Sequence, residues 1–199
     1  MRKKICLLLV MSLISQLSFG QSARAILDKV AATLSNKGGV TATFHMSNKG
    51  IGSVSGNISI KGRKFHAVTP QAVTWFDGKT QWTYLKRNGE VSVSSPNEAQ
   101  MQAINPYSFI NIYKKGYALT RREKGNNYEV TLKATGRQKI QKMVIVANKR
   151  TYTPSTIKLC QNGQWTIFTI SKFRRASLSD SHFRFNAKDY PKAEVIDLR

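Results

Sequence analysis

The sequence predicts a mainly β (α+β) chain, with about eleven mostly antiparallel strands in one curled sheet, an N-terminal helix and a helical insertion. Three observations carry that prediction. Short runs that alternate apolar and polar residues follow one another from Val40 to Ser94 and again from Tyr117 to Phe173. Asp77-Gly78, Asn88-Gly89 and Asn162-Gly163 punctuate those runs as tight-turn dipeptides. Helical spacing shows instead at Ala23 to Leu34 and at Asn97 to Tyr113.

The first twenty residues read as a secretory signal peptide. Arg2, Lys3 and Lys4 form a positive start, and Ile5 to Leu13 is apolar but shorter than the roughly twenty residues a membrane span needs. Ser18-Phe19-Gly20 places small residues at the cleavage positions, so the cut is expected before Gln21. Residues 21–199 then suit one domain. Cleavage leaves 29 Lys and Arg against 10 Asp and Glu, a net +19 in place of +22. Such a charge calls for an anionic neighbourhood. Nucleic acid is not expected for an exported chain; lipid head groups, acidic glycans or acidic protein surfaces are. Part of the charge simply solvates outward faces and guards sheet edges. Cys160 is the one cysteine after cleavage, so no internal disulfide forms and the thiol is expected to be buried.

Ser22 caps a helix over Ala23 to Leu34, where Ile26, Leu27, Val30, Ala31 and Leu34 make one stripe, and Lys37-Gly38-Gly39 ends it. Strands are expected over Val40 to Ser47, Gly52 to Lys61, Lys64 to Thr69, Ala72 to Phe76, Lys79 to Arg87 and Glu90 to Ser94. A two-residue loop at Asp77-Gly78 sets Trp75 opposite Thr80 and Val73 opposite Trp82. Val73, Trp75, Trp82 and Tyr84 then share one face, an aromatic wall, and Phe76 faces away. The same loop at Asn88-Gly89 sets Arg87 opposite Glu90. After Pro96 the alternation is lost. Met101, Ile104, Phe109, Ile112 and Tyr113 fit two short helical turns, the second opened by Pro106. Strands resume at Tyr117 to Arg122, Asn127 to Ala134, Lys139 to Ala147, Ser155 to Gln161 and Gln164 to Phe173, with a short one near Glu194 to Leu198. Across Asn162-Gly163, Cys160 faces Trp165 and Ile157 faces Phe168. Apolar bulk on both sides predicts a sheet covered on both faces over part of its area.

Nothing points to catalysis. His45, His66 and His182 have no metal-ligand spacing, and a second cysteine is lacking. Ser179, Asp180 and His182 are triad residue types, but they are crowded in one loop without a nucleophile elbow. No catalytic residue, metal or cofactor is therefore expected. The aromatic wall fills either a dry core or a cavity for an apolar ligand, and composition leaves both open.

The ordered set of segments resembles the LolA-type periplasmic lipoprotein carriers, in particular the LolA-like proteins of Bacteroidetes-type envelopes. ARAILDKVAATL leads into VTATFHM as the family helix leads into its first strand. GNISIKGRKF is similar to the second and third strands. WFDGKTQWTY resembles the D-G-K-x-x-W-x-Y hairpin, INPYSFINIYKKGY the segment that supplies lid helices, and FRFNAKDYPKAEVIDL the closing strand. The resemblance spans residues 21–199. It implies an incomplete antiparallel β-barrel closed by lid helices, a periplasmic location and a monomeric chaperone that carries lipoprotein acyl chains toward the outer membrane. Acylated lipoproteins, an inner-membrane lipoprotein-releasing transporter and an outer-membrane receptor are the implied partners. Phe65, Val73, Trp75, Trp82 and Tyr84 become the expected lipid-binding cavity, and Met101, Ile104, Phe109, Ile112 and Tyr113 the lid. Arg63 is the nearest match to the family's lid-holding basic residue, with Lys61 as the alternative in this shorter loop. A carrier or sensor of another lipid or glycolipid, and a basic module that binds anionic glycan or protein, are the rival readings.

Overall fold

The structure, a computed structural model, describes residues 21–50, 52–97 and 112–199. The expected signal segment and the expected lid positions Met101, Ile104 and Phe109 lie outside the described residues. The helix forms as its stripe predicts. Ser22 Oγ accepts the Ala25 N–H at 3.1 Å, and helix α1 runs Ala23–Leu34 with Ile26, Leu27, Val30 and Leu34 buried.

Twelve strands follow among the described residues. They are β1 Val40–Asn48, β2 Gly52–Lys61, β3 Lys64–Val68, β4 Ala72–Phe76, β5 Gln81–Leu85, β6 Glu90–Ser94, β7 Tyr117–Lys124, β8 Asn127–Ala134, β9 Lys142–Asn148, β10 Pro154–Gln161, β11 Gln164–Arg175 and β12 Glu194–Asp197. All belong to one sheet in the order β12-β6-β5-β4-β3-β2-β1-β11-β10-β9-β8-β7. Every ladder is antiparallel except the last, where β12 returns parallel to β6. The sheet does not close into a barrel, because β12 and β7 remain its two edges.

Register assigns each side chain to a face, since directly opposed residues point the same way. One face carries Val40, Ile58, Ile60, Phe65, Phe76, Val130, Leu132, Met143, Ile145, Ile157 and Leu159. All of them belong to a single buried cluster with the α1 stripe. We call this the helix face and the other the outer face. Helix α1 lies against β7 and β8.

Two expected registers are corrected. Trp75 pairs with Trp82 and Val73 with Tyr84. Leu85 pairs with Glu90 and Tyr84 with Val91, so Arg87 does not oppose Glu90. Both loops are four residues long, not two. The cause at the first loop is the Asp77 carboxylate. Its Oδ1 accepts the N–H groups of Lys79 and Thr80 at 3.0 and 2.9 Å, which holds a wider turn in which Gly78 alone takes a positive φ, of 103°. At the second loop the Gly89 N–H closes back on the Leu85 carbonyl at 3.0 Å. Asn162-Gly163 is the dipeptide that makes the two-residue turn, with φ of 51° and 73°, and there the expected pairs hold. A slip of two residues preserves the faces, so Val73, Trp75, Trp82 and Tyr84 do share one.

Candidate functional site

The helix face is apolar across its middle. Phe44 pairs with Gly56 on one side and with Ile170 on the other. A Cβ built on Gly56 would meet the Val68 carbonyl oxygen at 2.4 Å and the Phe44 ring at 2.9 Å. The bare glycine is thus what lets the Phe44 ring lie against the sheet. Phe44, Phe168, Ile170 and Phe173 are half-buried and pack against the cluster. Phe65 and Phe76 face each other across β3 and β4, with ring centroids 5.6 Å apart, and both are buried. Phe76 therefore points into the main core, a correction to its expected outward direction.

Tyr113 fastens the chain to helix α1 just before β7. Its hydroxyl donates to Asp28 Oδ1, its ring lies 5.9 Å from the Arg24 guanidinium carbon, and it is 1% exposed. Burial, then the bond to the Asp28 carboxylate, pushes its phenol up to about 12. Ile112 beside it is half-buried against the same cluster.

The outer face of β3 to β6 is covered by something else. After β11 the chain is tied down where the Ala176 and Leu178 N–H groups donate to the Gly39 and Gly38 carbonyls at 3.0 and 2.9 Å. A Cβ at Gly38 would meet the Ala176 carbonyl oxygen at 2.6 Å, so the approach requires glycine there. Lys61 Nζ donates to the Leu178 carbonyl at 2.7 Å and reaches Asp180 Oδ1 at 3.1 Å, while Lys64 Nζ meets Asp180 Oδ2 at 2.8 Å. Hydrogen bonds from Lys64 and Lys61 hold the Asp180 carboxyl below the usual range. Further on, Arg184 Nε reaches Asp77 Oδ2 at 3.1 Å.

Under this crossing lies the aromatic wall. Trp75 stacks on His66 at 5.4 Å and meets Phe185 and Tyr190 edge-on at 5.6 and 5.4 Å. Tyr84 lies 4.8 Å from Tyr190. Val73, Trp75, Val91, Val93 and Phe183 are buried without belonging to the helix-face cluster. His66 Nδ1 lies 3.2 Å from His182 Nε2. Burial and then the neighbouring His182 lower the His66 imidazole to about 4, and burial lowers His182.

The structure thus divides the expected cavity residues. Phe65 faces the helix side; Val73, Trp75, Trp82 and Tyr84 face the C-terminal crossing. Arg63 sits exposed in the turn between β2 and β3, and Lys61 is committed to the crossing. Sequence reasoning missed the His66–His182 contact, which joins positions 116 apart in sequence. It also missed Phe44, whose signal was the glycine opposite. The triad residue types do not form a relay. His182 Nε2 turns to His66, Asp180 to two lysines, and Ser179 Oγ to Ser181 Oγ at 2.8 Å. No group of three or more potential metal ligands occurs among the described residues. Cys160, expected to be buried, is half-buried on the outer face.

A family model described as outer membrane lipoprotein carrier protein LolA matches residues 13–164. No curated protein sequence matches the chain. Among solved structures, the fold is similar to that of an uncharacterized conserved protein from Thermus thermophilus. The TM-score is 0.61 at 16% identity, over 89% of this chain and 99% of that one. A LolA superfamily protein from Nitrosomonas europaea aligns with a TM-score of 0.44 at 10% identity, over 83% and 99% of the two chains. A putative outer membrane lipoprotein-sorting protein domain from Vibrio parahaemolyticus gives 0.43 at 13% identity, over 82% and 97%.

Proposed function

The chain belongs to the LolA outer membrane lipoprotein carrier family, and from that membership we propose that it is a periplasmic carrier that holds lipoprotein acyl chains on its helix face and releases them toward the outer membrane. The observation that carries the proposal is the half-buried apolar strip of Phe44, Phe168, Ile170 and Phe173, continuous with the core and with Phe65 at its margin. Each acyl methylene removed from water there contributes about 0.8 kcal/mol. A chain of ten methylenes gains on the order of 8 kcal/mol before the costs of ordering, which leaves a reversible complex. The bare Gly56 beneath Phe44 lets that ring lie against the sheet as one wall of the strip.

Residues 97–113 are assigned the gate, with Ile112 and Tyr113 as its root. The cargo is acylated lipoprotein, the donor an inner-membrane lipoprotein-releasing transporter and the acceptor an outer-membrane receptor. No catalytic step is assigned. The test pairs native mass spectrometry of chain purified from an envelope extract with displacement of a fluorescent fatty-acyl probe. A co-purified acyl species is expected, together with probe binding that Ile170→Glu abolishes while circular dichroism stays unchanged. Equal probe binding by Ile170→Glu, or a chain that never carries an acyl species, would overturn the proposal.

A further inference from the structure

The outer face of β7 to β11 lies beyond the C-terminal crossing and carries a different chemistry. By register, Arg122, Lys124, Lys133, Lys142, Lys158 and Arg174 point outward there, against Glu129 as the one acid. Lys133, Lys142, Cys160 and Trp165 form one row across four strands. Thr131, Val144, Lys158 and Ile167 form the next. Trp165 is 38% exposed, with the Lys142 ammonium 6.0 Å from its ring centre. Ile167 is half-buried beside it. A groove of about 570 Å³ opens next to the indole, between the β1–β2 and β10–β11 turns, lined by Lys49, Ser53, Trp165 and Ile167 among others. Among the described residues no carboxylate comes within salt-bridge distance of Lys133, Lys142 or Lys158, whereas Lys61, Lys64, Arg121, Lys149, Arg184 and Arg199 all have one.

We propose that this face is a docking surface for an anionic phospholipid bilayer, with Trp165 as the interfacial anchor and the lysine rows as its electrostatic hold. The charge complementarity is one-sided, and the apolar element is placed where the charges are. An indole flanked by long basic side chains matches the headgroup level of a membrane, where tryptophan sits and lysine chains reach the phosphates. A face for a purely ionic partner has no use for an exposed indole and a half-buried isoleucine at the end of its lysine rows. Each lysine near an anionic membrane surface strengthens binding by a factor of about five, so three together give roughly a hundredfold. The face lies opposite the acyl strip, so this inference stands whether or not the acyl site does.

The experiment is co-sedimentation of residues 21–199 with vesicles of phosphatidylcholine alone or with 30% phosphatidylglycerol, at about 50 and 300 mM salt, where screening separates the ionic contribution. Binding is expected only to the anionic vesicles, and it should weaken with salt. Lys133→Glu/Lys142→Glu/Lys158→Glu should lose at least a hundredfold. Trp165→Ala should lose severalfold with an unchanged salt dependence. Both variants should keep the circular dichroism spectrum and the acyl-probe binding of the parent, which separates failure of this surface from failure of the helix-face site. Undiminished vesicle binding by the triple variant would overturn the proposal. So would indifference to vesicles combined with lysine-dependent retention on heparin, which would point to a soluble acidic polymer as the partner.

Discussion

Helix α1 and the C-terminal crossing cover opposite faces of the same sheet, and they do so by different means. The helix arrives first in sequence and buries a continuous aliphatic stripe against β7 and β8, with polar ties from Asp28 to Tyr113 and from Lys29 to Tyr152 at its flank. The crossing comes last and has no long regular element. It is fixed by point contacts: backbone bonds to Gly38 and Gly39, a lysine pair on Asp180, Arg184 on Asp77, and rings laid over Trp75. A regular element spreads its stabilisation over many equivalent contacts. A crossing without one concentrates it at a few residues, so single substitutions should discriminate sharply between the two sides.

The largest expected effect is on the crossing side. Trp75→Ala removes the ring that Phe185, Tyr190 and His66 pack against, at a cost of about 3–5 kcal/mol to the global fold. Denaturant unfolding followed by far-UV circular dichroism checks it. The folded fraction should still bind the acyl probe at parental affinity, because the helix face is untouched. Lost probe affinity in folded Trp75→Ala would return the aromatic wall to the ligand site and erase the distinction between the faces.

This division explains what was legible in the sequence. Periodicity located nearly every strand, and the stripe and Ser22 located α1. The alternation in WFDGKTQWTY correctly grouped Val73, Trp75, Trp82 and Tyr84. What alternation lacks is any indication of which face lies toward the helix. That depends on which distant segment comes to rest on the wall, and residues 176–190 carry no periodic signal of their own. Phe76, read as outward, is 1% exposed in the main core for this reason. The turns failed differently. Asp77-Gly78 and Asn162-Gly163 look alike as dipeptides, but the aspartate carboxylate captures two N–H groups and widens its loop. Local composition alone does not separate the two outcomes.

On the helix side the sharpest single position is Gly56. Gly56→Ala places a methyl 2.4 Å from the Val68 carbonyl oxygen and 2.9 Å from the Phe44 ring. Backbone and ring must both give way, an overpacking cost of about 1–3 kcal/mol. The displaced ring should also change acyl-probe affinity, which Trp75→Ala should not. Measuring stability and probe binding on both variants therefore yields a two-by-two contrast. A Gly56→Ala chain with parental stability and affinity would show that Phe44 is free to move aside, and that the strip is looser than its packing indicates.

The last effect is absent at neutral pH, is conditional on acidity and is confined to the crossing. His66 takes a proton near 6.5 in the unfolded chain but near 4 when folded, because burial and His182 disfavour the charged ring. Between those values the unfolded chain binds more protons, so the contribution of the pair to stability is complete above 6.5 and declines as pH falls toward 4. Asp180, near His182 in the crossing, stays ionised through that interval, since Lys64 and Lys61 hold its carboxyl low. The lysine clasp and the Gly38–Gly39 bonds should therefore persist while the histidine contact weakens. Hydrogen exchange corrected for intrinsic rates should show residues 182–190 losing protection between about pH 6.5 and 4.5, with α1 unchanged over the same range. His66→Gln removes the more strongly shifted of the two imidazoles and should reduce that dependence, leaving the His182 contribution, without lowering protection at neutral pH by more than a fewfold. A profile that keeps its full slope in His66→Gln would remove His66 as the source of the acid sensitivity and leave its ring as packing alone.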